Sequence, residues 1–181
     1  MEINLNQKAI DNISIALSKY NYIMDRLNQT NVSLDTAFQK KYNGFYRMRQ
    51  RPPEYYAIYF NFMEKQKTKE VIFEEILRYF HTSFGRIEAS FSSKLMATIN
   101  PDKPVWDEFV LKNLGITKPA TYSKNRIEKT VDVYKRIEHF YDEFLQTMEC
   151  QELVAKFDMH FPNTKITKTK KVDLLLWQTR D

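Results

Sequence analysis

Glycine is scarce: Gly44, Gly85 and Gly115 are the only three in 181 residues. Loops that cradle a dinucleotide or a triphosphate need several glycines, so that backbone amides can approach phosphate closely. A β-sandwich needs many tight turns. The count disfavours both and favours helices. Cysteine is limited to Cys150, which excludes a disulfide within this chain and makes a reducing compartment the expectation. No apolar run approaches the roughly 18 residues needed to span a bilayer. The opening MEINLNQKAIDN has neither the basic start nor the apolar centre of a signal peptide. A cytoplasmic location without membrane contact is expected.

The common catalytic signatures are missing too. His81, His139 and His160 share no metal-ligand spacing with one another or with Cys150, so no metal and no cofactor are expected. No serine stands in a Gly-x-Ser-x-Gly elbow. Cys150 lies beside Glu149 and Glu152, which raise a thiol pKa rather than lower it.

What is present is bulk and a modest positive charge. Hydrophobic residues make up 43% and aromatics 14%, enough for one large-cored domain over residues 1–181. Lys and Arg outnumber Asp and Glu by 28 to 23, giving +5, which permits a nucleic-acid partner without requiring one.

Apolar positions recur at helical spacing along the whole chain. Ile3, Ile10, Ile13, Leu17, Tyr20, Met24 and Leu27 outline a long first helix ending near Asn28. Leu34, Phe38 and Tyr42 mark a short second one that stops at Gly44. Pro52 and Pro53 open a third, with Tyr56, Tyr59, Phe60 and Met63 inward. Thr68 is the expected cap of a fourth, which ends before Gly85, and Glu88 to Asn100 forms a fifth. Asp107 and Gly115 bracket a short helix, and a long one runs from Ser123 to Met148, followed by an acidic segment to Asp158. Val172, Leu175, Leu176 and Trp177 predict a last, docked helix. The fold class is all-α, about seven to nine helices, as one compact body or as two helical lobes meeting near Asp107.

Three basic stretches can hold a phosphate backbone. Lys40, Lys41, Arg47, Arg49 and Arg51 have no acid among them, and Tyr42 and Tyr46 interleave with these cations. Lys118, Lys124, Arg126 and Lys129 border the start of the long helix, and Lys165, Lys168, Lys170 and Lys171 lie near the end.

Between Gly85 and Gly115 runs a helix carrying Lys94, then the loop Asn100-Pro101-Asp102-Lys103-Pro104-Val105-Trp106-Asp107. This stretch resembles the helix-hairpin-helix-Gly/Pro-Asp superfamily of DNA glycosylases, in its divergent oxoguanine-glycosylase-like branches. The resemblance makes Pro104-Val105-Trp106-Asp107 the Pro-Asp loop, Asp107 the electrostatic catalyst of N-glycosidic cleavage and Lys94 a conditional Schiff-base nucleophile. Trp106 and Tyr46 would stack on an extruded base. Tyr46, Arg47, Arg49, Arg51, Arg86, Trp106, Lys124, Arg126, Lys168, Lys170 and Lys171 would meet DNA. Ser83-Phe84-Gly85-Arg86 has one glycine where the family's phosphate-gripping turn has two, and Glu88 stands nearer the family's lysine position than Lys94 does.

Plainer roles exist for the same residues: Asp107 as a helix cap, Lys94 as a surface cation or a partner of Glu88, and Trp106 and Trp177 as core anchors. The expected function is accordingly a DNA-binding protein of glycosylase-like type, excising a modified base or descended from one that did. The alternative is a helical protein-interaction module without enzymatic activity.

Overall fold

The computed structural model describes residues 5–48 and 50–178. The described chain is all helical, as expected, with no strand. Its helices in chain order are α1 (Gln7–Leu27), α2 (Thr36–Tyr46), α3 (Pro53–Gln66), α4 (Phe73–Phe84), α5 (Ala89–Ile99), α6 (Glu108–Asn113), α7 (Arg126–Phe144), α8 (Met148–His160) and α9 (Lys168–Gln178). They divide into two units. One comprises Ile15–Asn100; the other combines Met1–Ser14 with Pro101–Asp181. Helix α1 belongs to both, changing unit after its second turn.

The helix ends show which local signals prevailed. Asp35 caps α2 by accepting hydrogen bonds from the amides of Ala37 (3.0 Å) and Phe38 (2.9 Å). The helix does not stop at Gly44. Burial of Phe45 and Tyr46 carries it further, and Arg47 takes the left-handed position at φ 55°. Leu34 precedes this helix and is exposed rather than inward. Pro52 and Pro53 open α3 as expected, but its buried face starts at Tyr55, while Tyr56 stays half-buried.

Thr68 does not cap α4. That helix begins five residues later behind Ile72, and Glu74 and Glu75 supply negative charge to its first turn. Gly85 and Gly115 follow α4 and α6 with φ of 67° and 62°, a region where side chains are strained. The expected long helix from Ser123 is broken: α7 ends at Phe144. Thr147 then restarts the chain as α8, its hydroxyl accepting from the Cys150 amide at 3.1 Å.

The core of the Ile15–Asn100 unit is aromatic, built on Phe38, Tyr42, Tyr59, Phe60 and Phe80. Its phenols need partners. Tyr59 donates to the Phe91 carbonyl at 2.9 Å, which spends its one proton, so Tyr42 donates to Tyr59 across 2.8 Å. Burial pushes both phenols well above their usual pKa. Helix α5 packs on α4 and has no polar face: every residue from Ser92 to Thr98 is buried.

The second unit repeats this logic around α9, which packs on α6 and α8 and is buried from Thr169 to Trp177. Trp177 docks as expected, and Trp106 is buried here too. Within α9, Lys170 and Asp173 form an ion pair at 2.9 Å, each only 2% exposed. Tyr141 donates to the other Asp173 oxygen at 2.7 Å.

Candidate nucleic-acid interface

The residues expected to meet DNA or to perform chemistry fall into both units. Asp107 is the N-cap of α6, and its carboxylate accepts from the Phe109 amide at 3.1 Å. Lys94 lies in the other unit, on α5. It is not a surface residue: at 6% exposure its ammonium donates to the Tyr46 carbonyl at 3.3 Å and sits 5.1 Å from the Phe91 ring centre.

Several of the remaining expectations change. Tyr46 is buried, with the Tyr42 and Phe45 ring centres 4.7 and 4.6 Å from its own, so its ring is not open to a base. Trp106 is likewise a core side chain. Lys170 is held inside by Asp173, and Lys171 pairs with Asp158 at 2.5 Å, so neither is a surface cation. The cause is common to both: α9 is enclosed, so its lysines must find carboxylates. Lys124 and Lys168 remain exposed, and Arg126 is partly so at the start of α7. Arg47 is exposed at the end of α2, and Arg49 lies outside the described residues.

Four of the expected residues nevertheless come together in the Ile15–Asn100 unit. Tyr46, Arg51, Arg86 and Lys94 meet where α2 and α4 end and α3 and α5 begin. The centre of this cluster is Tyr55, one turn beyond Arg51 and stacked on Phe84 at 4.1 Å. The Arg51 guanidinium lies over the Tyr55 and Phe91 rings, 5.3 and 5.5 Å from their centres. Arg86 lies over Tyr55 at 5.6 Å. Glu88, the N-cap of α5, is 2.6 Å from Arg86 Nε and 3.6 Å from Arg51 Nη2. Arg51 and Arg86 form the solvent side, 25% and 47% exposed, whereas Glu88 is only 8% exposed.

The electrostatics follow from this burial. Desolvation raises the Glu88 carboxyl above its usual range, and Arg86 and then Arg51 oppose that rise. Burial and the Glu88 charge push the Tyr55 phenol up, while both arginines pull it down. The cluster holds three cations and one carboxylate. Three of its buried polar atoms, Arg51 Nε, Tyr55 Oη and Glu88 Oε1, make no aligned hydrogen bond among the described residues, and Glu88 Oε1 is held by the two guanidinium charges instead. The close Glu88–Arg86 contact is therefore an attraction of charges without hydrogen-bond alignment.

Tyr55 was absent from the expected site, and Glu88 entered only through its spacing. The signal was present in the spacing of Arg51 and Tyr55, four residues apart. No protein-family model matches the chain, and neither a curated protein nor a solved structure does.

Proposed function

We propose that this protein binds DNA through the Arg51–Arg86 pair and does not excise bases. The observation that carries the reading is the convergence of three cations, spread over 44 positions of the sequence, on one aromatic platform with a single carboxylate, with Lys94 inside and Arg51 and Arg86 on the solvent side. Guanidinium groups stacked on rings are held in place, and the N–H groups not turned to Glu88 stay available to phosphate. Asp107 is engaged as a cap and Lys94 as a donor to a core carbonyl, which supports the non-excising member of the glycosylase-like pair.

The test is fluorescence anisotropy with undamaged and abasic duplexes and with single strands over a salt series. Binding should weaken with salt, with a log–log slope of about −2 for two phosphate contacts. Arg51→Ala combined with Arg86→Ala should flatten that slope by about 2. Borohydride should trap no covalent complex with abasic DNA. Asp107→Asn should cost less than about 1 kcal/mol of stability, because asparagine caps almost as well. A trapped adduct lost in Lys94→Ala would restore the excising reading. Salt-independent binding, or none, would leave the protein-interaction module.

A further inference from the structure

We propose that the Asn43–Gly44 peptide is a site of spontaneous deamidation, kept silent by the folded end of α2 and released whenever the chain unfolds. It is the only asparagine–glycine pair in the sequence. Glycine matters because it has no Cβ to shield its amide nitrogen. In an open chain that nitrogen attacks the asparagine Cγ, and an N–Cγ bond forms as the Cγ–Nδ2 bond breaks. Nδ2 leaves as ammonia, carrying the proton of the Gly44 amide. The five-membered imide then takes up water at either carbonyl, giving aspartate or isoaspartate at position 43. Only water is consumed.

The fold opposes this attack in two ways. Both residues lie within α2, where α-helical geometry turns the Gly44 amide towards the carbonyl four residues back. The Asn43 carbonyl, which must swing for the ring to close, accepts from the amides of Arg47 and Met48, the latter at 2.9 Å. Rupture of that turn also unpacks its neighbours, for Tyr42, Phe45, Tyr46 and Met48 are all buried. Such an opening uncovers core side chains and is rarer than the fraying of a loose helix end.

The glycine is not required by the fold. Gly44 lacks the positive φ of Gly85 and Gly115, and a Cβ there would meet no atom within 4 Å. Alanine suits a helix better. Gly44→Ala therefore slows the chemistry at a position that accepts it.

Deamidation would be hard to reverse by refolding. Asn43 Oδ1 is buried with no hydrogen-bond partner among the described residues. Aspartate would put charge on a buried oxygen near the negative end of α2. Isoaspartate adds a carbon to the main chain and shifts Phe45 and Tyr46 off the helical spacing that buries them with Tyr42. A chain modified while open refolds less well, so that unfolding becomes irreversible with time.

The experiment incubates the full chain in mildly alkaline buffer, native and in guanidinium chloride. Mass spectrometry then follows the tryptic peptide Tyr42–Arg47. In denaturant this peptide should gain the mass of an amide-to-acid change sooner than any other asparagine peptide. In the native protein the change should be at least about tenfold slower. Gly44→Ala should slow the reaction in denaturant by about tenfold or more, and should melt no lower than wild type. Wild-type chains aged in denaturant should refold in lower yield than fresh ones, and the alanine variant should lose that difference. A native rate within about twofold of the denatured rate would overturn the protection by α2. A Tyr42–Arg47 peptide that keeps its amide while other asparagine peptides react would overturn the site itself. Both results would leave the DNA-binding reading where it stands.

Discussion

Replacing Lys170 by methionine should destabilise the protein out of proportion to the change in size. Lys170 and Asp173 are both 2% exposed and 2.9 Å apart. At an effective dielectric of about 20, the attraction across that distance is about 6 kcal/mol, most of which is offset by the cost of taking both ions out of water. The pair as a whole therefore adds little. Its halves are costly when separated. Methionine preserves the packing of the lysine stem but leaves the Asp173 carboxylate buried, with the Tyr141 hydroxyl donating to it and no cation at Oδ2.

Removing one member of such a pair costs about 3–5 kcal/mol, a third or more of the stability of an ordinary domain of about 5–15 kcal/mol. Urea unfolding followed by far-ultraviolet circular dichroism measures it. Adding Asp173→Asn to Lys170→Met removes the stranded charge, keeps an acceptor for Tyr141 and should recover at least about 1 kcal/mol. A single variant within about 1 kcal/mol of wild type, or a double variant no better than the single, would refute a charge-paired interior for α9.

Asp35 should govern acid stability. Its hydrogen bonds from Arg26 and from the Phe38 amide lower its pKa from 3.8 to about 2. A lowered folded-state pKa contributes stability that is present above pH 3.8 and lost as pH falls through about 2. Thermal melts of Asp35→Asn and wild type should therefore differ near neutrality and converge at the acid end. A constant gap across that range would contradict the assignment. The Cys150 thiol, buried and pushed up chiefly by desolvation, should react with a disulfide reagent far more slowly in the native protein than in denaturant. Equal rates would mean that it is accessible.

Much of the helical plan was legible because apolar spacing is a local property. Pro52, Gly85 and Gly115 each act within a turn of their own position, and each helix boundary they imply is found. The failures share a cause. Gly44 permits a stop but does not compel one, and the burial of Phe45 and Tyr46, set by residues distant in sequence, decided the matter. Lys170 and Lys171 read as surface cations because their partners, Asp173 and Asp158, become partners only once α9 is enclosed. For the candidate site, the cations at Arg51, Arg86 and Lys94 were legible as isolated charges. Their meeting around the Tyr55 and Phe91 rings was not, since it depends on how four helix ends are brought together. The composition of α5 held a usable hint, for Lys94 is the only charged residue from Ala89 to Ile99, as befits an enclosed helix.

The passage of α1 through both units bears on how the chain is made. Residues Ile15–Asn100 form a contiguous unit whose parts leave the ribosome together. The start of α1 is different: Ala9 and Ile13 are buried in a unit whose other helices all come after Pro101. At about 5–20 residues per second, those two side chains are made several seconds before the other helices of their unit. For that interval the nascent protein is a half-finished body trailing a sticky helical stub. A ribosome stalled soon after Asn100 would leave Ala9 and Ile13 without the other helices of their own unit.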